Sequence, residues 1–236
     1  MGSDPIVIEY RYRLPSQEQE TLTLTLDPVS LTPLDPLPNP LPNWTLLSFE
    51  QCENCPLSSS EMPVCPLAAR LAVLTPLCNK LISFDMVDVE VVTRERTVSA
   101  NVSAEQGICS LMGLVSAVSG CPHTAFFRPM ARFHLPFATP EETLFRSTGS
   151  YLLVEYLRQR QGETPHYDLS GLQAIYDRVS EVNRSVAERL RAASRTDSAL
   201  NAIVQLDYYA QGLSFSLERS LDHLSEMLAP FWAQSH

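Results

Sequence analysis

Glycine is scarce in this chain: 8 residues in 236. A backbone cradle for nucleotide phosphates is accordingly not expected, and neither Gly-x-Gly-x-x-Gly nor a phosphate-binding loop occurs. His-Glu-x-x-His and Gly-x-Ser-x-Gly are also missing. Basic residues are outnumbered, 17 against 27 acidic, and the net charge of -10 disfavours nucleic acid or an anionic membrane as partner. No apolar run approaches the roughly 20 residues of a membrane-spanning helix. The start, Met-Gly-Ser-Asp-Pro, has neither the basic residues nor the apolar stretch of a secretory signal, so a cytoplasmic protein is expected. Disulfides are then not expected among the 6 cysteines.

With 44% hydrophobic side chains, the chain is expected to form a single domain over 1–236, sheet-forming over 1–103 and helical over 104–236. Ile6, Ile8, Tyr10, Tyr12 and Leu14 alternate with polar residues, as do Leu22, Leu24 and Leu26. The period of two predicts a hairpin with one wet face. Val87, Val89 and Val91, then Val98, Ala100 and Val102, predict a second hairpin. Between the pairs, the prolines of 28–42 forbid helix interior and central strand, and predict a semi-rigid crossing. From Ala104 the period becomes helical through Ile108, Leu111, Met112, Val115 and Val118, and Ser119-Gly120 supplies a stop.

Thr139-Pro140-Glu141-Glu142 has the form of a capping box, predicting a helix that turns Leu144, Phe145, Tyr151, Leu152 and Tyr156 inward. Asp168 is expected to cap a long helix carrying Leu172, Ile175, Tyr176, Val179, Val182, Val186 and Leu190. Its arginines, Arg178, Arg184, Arg189, Arg191 and Arg195, alternate with Glu181 and Glu188 and are read as a solvated face. Thr196 or Asp197 opens another helix through Ile203 and Tyr208, and Ser216 the last, with Leu217, Leu221, Leu224 and Leu228. The expected class is α+β: a small N-terminal antiparallel sheet of about four strands packed against a central apolar helix and a C-terminal helical bundle.

All the cysteines lie between 52 and 121. Cys52 and Cys55 form a Cys-x2-Cys pair, and Cys65 and Cys121 are the best candidates to complete a tetrahedral site of cysteine ligands. His123 is an alternative ligand to Cys121. Cys55, Cys65 and Cys121 each precede proline, a pattern shared with bacterial ferredoxins, which tilts the expected content towards an iron-sulfur cluster over zinc. Cys78 and Cys109 are read as buried thiols of the core. Ordinary structural thiols, or a redox pair, are the competing readings of the other four.

Beyond Cys121, Arg128, Arg132, His134, Glu142 and Arg146 are interleaved with phenylalanines. Such a segment can line a pocket in which guanidinium forks grip an anionic small molecule and His134 or Glu142 acts as acid or base. The structural alternative has Glu142 capping its own helix and the arginines pairing with neighbouring carbonyls. The chain is thus expected to be a metal or iron-sulfur protein with a structural or redox-sensing site. A small enzyme on an anionic ligand, or an interaction module with a protein partner or a second copy, are the alternatives.

Cys52-Glu53-Asn54-Cys55-Pro56-Leu57, Ser119-Gly120-Cys121-Pro122-His123 and Phe133-His134-Leu135-Pro136-Phe137, with Cys65-Pro66 and Asn201-Ala202, resemble motifs of a family of uncharacterised bacterial proteins of similar length. The resemblance runs through most of the chain and supports the choice of Cys52, Cys55, Cys65 and Cys121. It implies no activity.

Overall fold

The structure, a computed structural model, describes residues 4–215 and 217–233. It is α+β. Strands β1 (Ile6–Arg13), β2 (Gln19–Leu26), β3 (Met86–Val92) and β4 (Thr97–Ser103) form one antiparallel sheet in the order β2-β1-β3-β4. Each hairpin is local, and the two join where β1 meets β3, with Tyr12 opposite Val89 and Tyr10 opposite Val91. Alternation decides the faces: Ile8, Tyr10, Tyr12, Val87, Val89 and Val91 are buried, while Val7, Arg11 and Glu90 face outward.

Helix α1 (Pro66–Leu71) and the single turn α2 (Thr75–Cys78) lie between the hairpins. The central helix α3 (Ala104–Val118) starts at a capping box between Ser103 and Gln106 and packs on the buried sheet face. Its approach is close because Gly107 has no side chain: a Cβ there would sit 3.2 Å from the Tyr12 ring and 3.3 Å from Val89. The Tyr12 hydroxyl donates to Gly107 O across this contact at 3.0 Å. At the far end Gly120, at φ 93, takes the left-handed conformation that ends the helix.

A 3-10 helix (Pro122–Phe127) and α4 (Arg128–Arg132) lead to α5 (Pro140–Arg160), α6 (Ser170–Ala193), α7 (Ser198–Phe215) and α8 (Leu217–Ala233). The α5 capping box forms as the sequence specifies, from Thr139 and Glu142. Leu144 and Tyr151 face inward, but Phe145 and Tyr156 are about half exposed, because only one narrow stripe of α5 meets α6. Asp168 accepts from Ser170 N and Oγ, one residue before the cap position, which Leu169 occupies at φ 62. Leu172, Tyr176, Val179, Val182, Val186 and Leu190 of α6 are buried. On α7 Ile203 is buried and Tyr208 is exposed; on α8 Leu224 is buried and Leu228 exposed. Ser216 and the side chains of Leu217 and Leu221 lie outside the described residues. Among the described residues no single helix is long and apolar enough to cross a membrane.

The Tyr12 hydroxyl bond joins sheet to central helix in a buried setting. Tyr12→Phe is expected to lower unfolding free energy by about 1 kcal/mol, measured by urea denaturation.

Candidate functional site

The segment from 46 to 64 is a closed loop. Leu47 N donates to Pro63 O and Cys65 N to Thr45 O, each at 2.8 Å, so its ends are tied by a β-bridge between Leu46 and Val64. Within it Cys55 N donates to Cys52 O at 3.0 Å, turning the chain once between the paired thiols. Cys65 stands at the N-cap position of α1, and Cys121 at that of the 3-10 helix that follows α3. Both are extended, at φ -67 and -63, since the following prolines bar the helical region to the residue before them and suit the first helical position. The prolines after Cys65 and Cys121 therefore have a local backbone role that asks for no ferredoxin analogy. A Cβ on Gly120 would lie 3.6 Å from Pro66, so the two Cys-Pro turns are neighbours.

Cys52, Cys55, Cys65 and Cys121 line one small cavity with His123, Val182, Val186 and Arg189. Its volume of about 20 Å³ is room for one water-sized body. Burial pushes the Cys121 thiol up to about 11, opposed by the backbone N–H groups of His123 and Thr124. Burial also raises the Cys52 thiol, opposed by a hydrogen bond from Ser185; the Cys65 and Cys55 thiols add to the rise and the Arg189 guanidinium opposes it. These two thiols are protonated at neutral pH, unlike the depressed thiols of nucleophilic cysteines. His123 Nε2 donates to Asn54 O at 2.8 Å, inside the Cys-x2-Cys turn, which leaves the Nδ1 lone pair as its available ligating atom. Among the described residues no three His, Cys, Asp or Glu side chains are grouped as a metal ion requires. Cys78 and Cys109 are buried elsewhere in the core, their thiols pushed up to about 12.

Arg189 corrects the reading of the α6 arginines. Arg178, Arg184, Arg191 and Arg195 are exposed, and Arg184 and Arg191 pair with Glu181 and Glu188. Arg189 is 1% exposed and donates to Trp44 O at 2.7 Å, Leu46 O at 2.8 Å and Leu47 O at 3.2 Å. Its spacing, three after Val186 and seven after Val182, sets it beside the buried stripe of α6, apart from Arg184, Arg191 and Arg195, and the 44–47 carbonyls arrive to satisfy its charge there.

A second cavity, of about 440 Å³, lies between α3, the 124–146 segment, α6 and α7. His134 and Arg146 line it; Arg128, Arg132 and Glu142 do not. Arg132 donates to Pro28 O, and Glu142 accepts from Thr139 N in its capping box, so both take the structural role the sequence left open. The His134 Nε2 atom is 2.6 Å from the Tyr10 hydroxyl, which is 2.8 Å from Ser110 Oγ, and Ser110 in turn accepts from Phe137 N. Burial, then the Arg146 charge, pushes His134 down to about 3. Tyr10, Ser110 and Tyr176 have no marker in the sequence: each falls on an apolar stripe and reads as core.

A family model described as "Domain of unknown function (DUF6901)" matches residues 8–229, and the chain belongs to that family. No curated protein and no solved structure matches it.

Two outcomes are expected. Arg189→Met leaves three carbonyls without their donor and should cost about 2–4 kcal/mol in chemical denaturation. His134 is neutral when folded, so its contribution is complete above its unfolded value near 6.5 and is lost as pH falls from there towards about 3. Stability measured across that window should fall by up to about 1.4 kcal/mol per pH unit, and His134→Gln should flatten the slope.

Proposed function

We propose that this family member binds an inorganic centre, an iron-sulfur cluster or a zinc ion, through Cys52, Cys55, Cys65 and Cys121, in a structural or redox-sensing role. The observation that carries the reading is convergence. Thiols from a loop, a helix start and the turn after α3 line one cavity, although 55 residues separate Cys65 from Cys121 in the chain. Four thiolates around either centre leave excess negative charge. Arg189 supplies a positive charge at the cavity wall, and the His123 and Thr124 N–H groups aimed at Cys121 favour its thiolate.

The two contents are favoured by different observations. The small cavity suits a single ion, which would need the thiols to draw inward. Cys55-Pro56, where proline starts no helix, suits a cluster, because the backbone role that accounts for the other two prolines does not account for this one. A cluster would need the 46–64 loop to move outward. In both cases the thiols of Cys52 and Cys121 lose their protons to solvent on loading.

Metal analysis and visible absorption of protein purified anaerobically test this reading. A broad visible band with iron and sulfide marks a cluster; a colourless protein with stoichiometric zinc marks the ion. Cys52→Ala and Cys121→Ala should lose the centre and lower the thermal midpoint, whereas Cys78→Ala and Cys109→Ala should retain it. Because protonated thiols must ionise, apparent affinity should rise with pH between 6 and 8, by up to about tenfold per unit for each proton released. Failure of the reduced protein to take up either zinc or reconstituted iron and sulfide would remove the proposal.

A further inference from the structure

We propose that the larger cavity is a binding site for an apolar monocarboxylic acid, whose carboxylate is held by the Arg146 guanidinium and the Tyr176 hydroxyl. This site is separate from the thiols and does not depend on them. Its walls are mainly apolar, including Leu114, Ala117, Phe127, Met130, Val179 and Leu206, and its volume falls in the range of small-molecule sites.

Charge decides the ligand class. Among the described residues lining the cavity, Arg146 is the one with a fixed charge, since His134 is neutral. Arg146 Nη2 donates to Met130 O at 3.1 Å and Phe133 O at 2.9 Å. These carbonyls orient the guanidinium but do not neutralise it. Glu142, one turn away, is engaged with Thr139 N and lies outside the cavity lining, although its charge acts on Arg146. Burial lowers the basicity of Arg146, a cost that an anion in the cavity would relieve.

The second observation is an orphaned donor. Tyr176 is buried and lines the cavity, and its hydroxyl has no hydrogen-bond partner of good geometry among the described residues. Ser147 lies beside it with an oxygen able to accept, since its own proton goes to Leu144 O, but the geometry of a full hydrogen bond is not reached. A buried hydroxyl without a partner is costly, so an acceptor brought by a ligand would complete it. One guanidinium and one phenol match the two oxygens of a carboxylate. A phosphate would leave more oxygens and more charge in an apolar chamber, and a neutral molecule would leave Arg146 without an anion inside the cavity.

Isothermal titration with decanoate and 2-naphthoate, against 1-decanol and 2-naphthol, tests the assignment. At least one acid should bind with a stoichiometry of one, at least tenfold tighter than its alcohol. Arg146→Gln should abolish that preference, Arg146→Lys should keep part of it, and Tyr176→Phe should weaken the acid about fivefold, the factor for one hydrogen bond. If Arg146→Gln does not fold, Tyr176→Phe and the comparison of acid with alcohol on the unaltered protein still decide. Cys52→Ala should bind the acid normally, which separates this result from the fate of the thiol site. Neither acid binding, or acid and alcohol binding equally, overturns the proposal.

Discussion

The contact between the Arg189 guanidinium and the carbonyls of Trp44, Leu46 and Leu47 is the cross-link on which the cysteine region depends. A planar cation with five donors can satisfy several carbonyls at once, and three peptide dipoles turned towards it stand in for a carboxylate. The segment from 44 to 47 has little regular structure to hold it, beyond a 3-10 turn at Asn43–Thr45 and the bridge to Val64. With the guanidinium in place, the 46–64 loop is fixed to α6, and Cys52 and Cys55 face the helix starts that carry Cys65 and Cys121.

Helices α3 and α6 link the two cavities. The C-terminal end of α3 delivers Cys121 to the small cavity through the Gly120 turn, while Ser110, Leu114 and Ala117 on the same helix form a wall of the large one. On α6, Val182, Val186 and Arg189 face the thiols, and Tyr176, Val179 and Asn183 face the larger chamber. The sheet contributes Tyr10, whose hydroxyl joins Ser110 of α3 to His134. Its ring packs in the core while its hydroxyl serves the cavity polar wall, a division of labour typical of buried tyrosine.

Much of the fold was legible in periodicity and caps. Both hairpins, the central helix with its glycine stop and the Thr139-Glu142 capping box depend on residues within a few positions of one another, and they form as their patterns specify. Helices α1 and α2 gave no such signal: six and four residues are too few for a helical period. Phe145 and Tyr156 stay half exposed because the hydrophobicity of a side chain does not say whether a neighbour arrives to cover it. Arg189 is the converse, a charged residue at helical spacing from Val182 and Val186, beside the buried stripe, whose burial its charge conceals.

The amino-acid sequence by itself determined the local elements, the α+β class and the short list of thiols, because alternation, helical period, capping and proline restriction act between near neighbours. The tertiary structure decided what meets what. It set β1 against β3, brought three carbonyls to Arg189, gathered four cysteines from distant positions around one cavity and left the Tyr176 hydroxyl, beside Arg146, without a well-placed partner among the described residues. Those outcomes depend on the relative placement of whole elements, which is fixed by the sum of many weak packing contacts and by no single pattern along the chain.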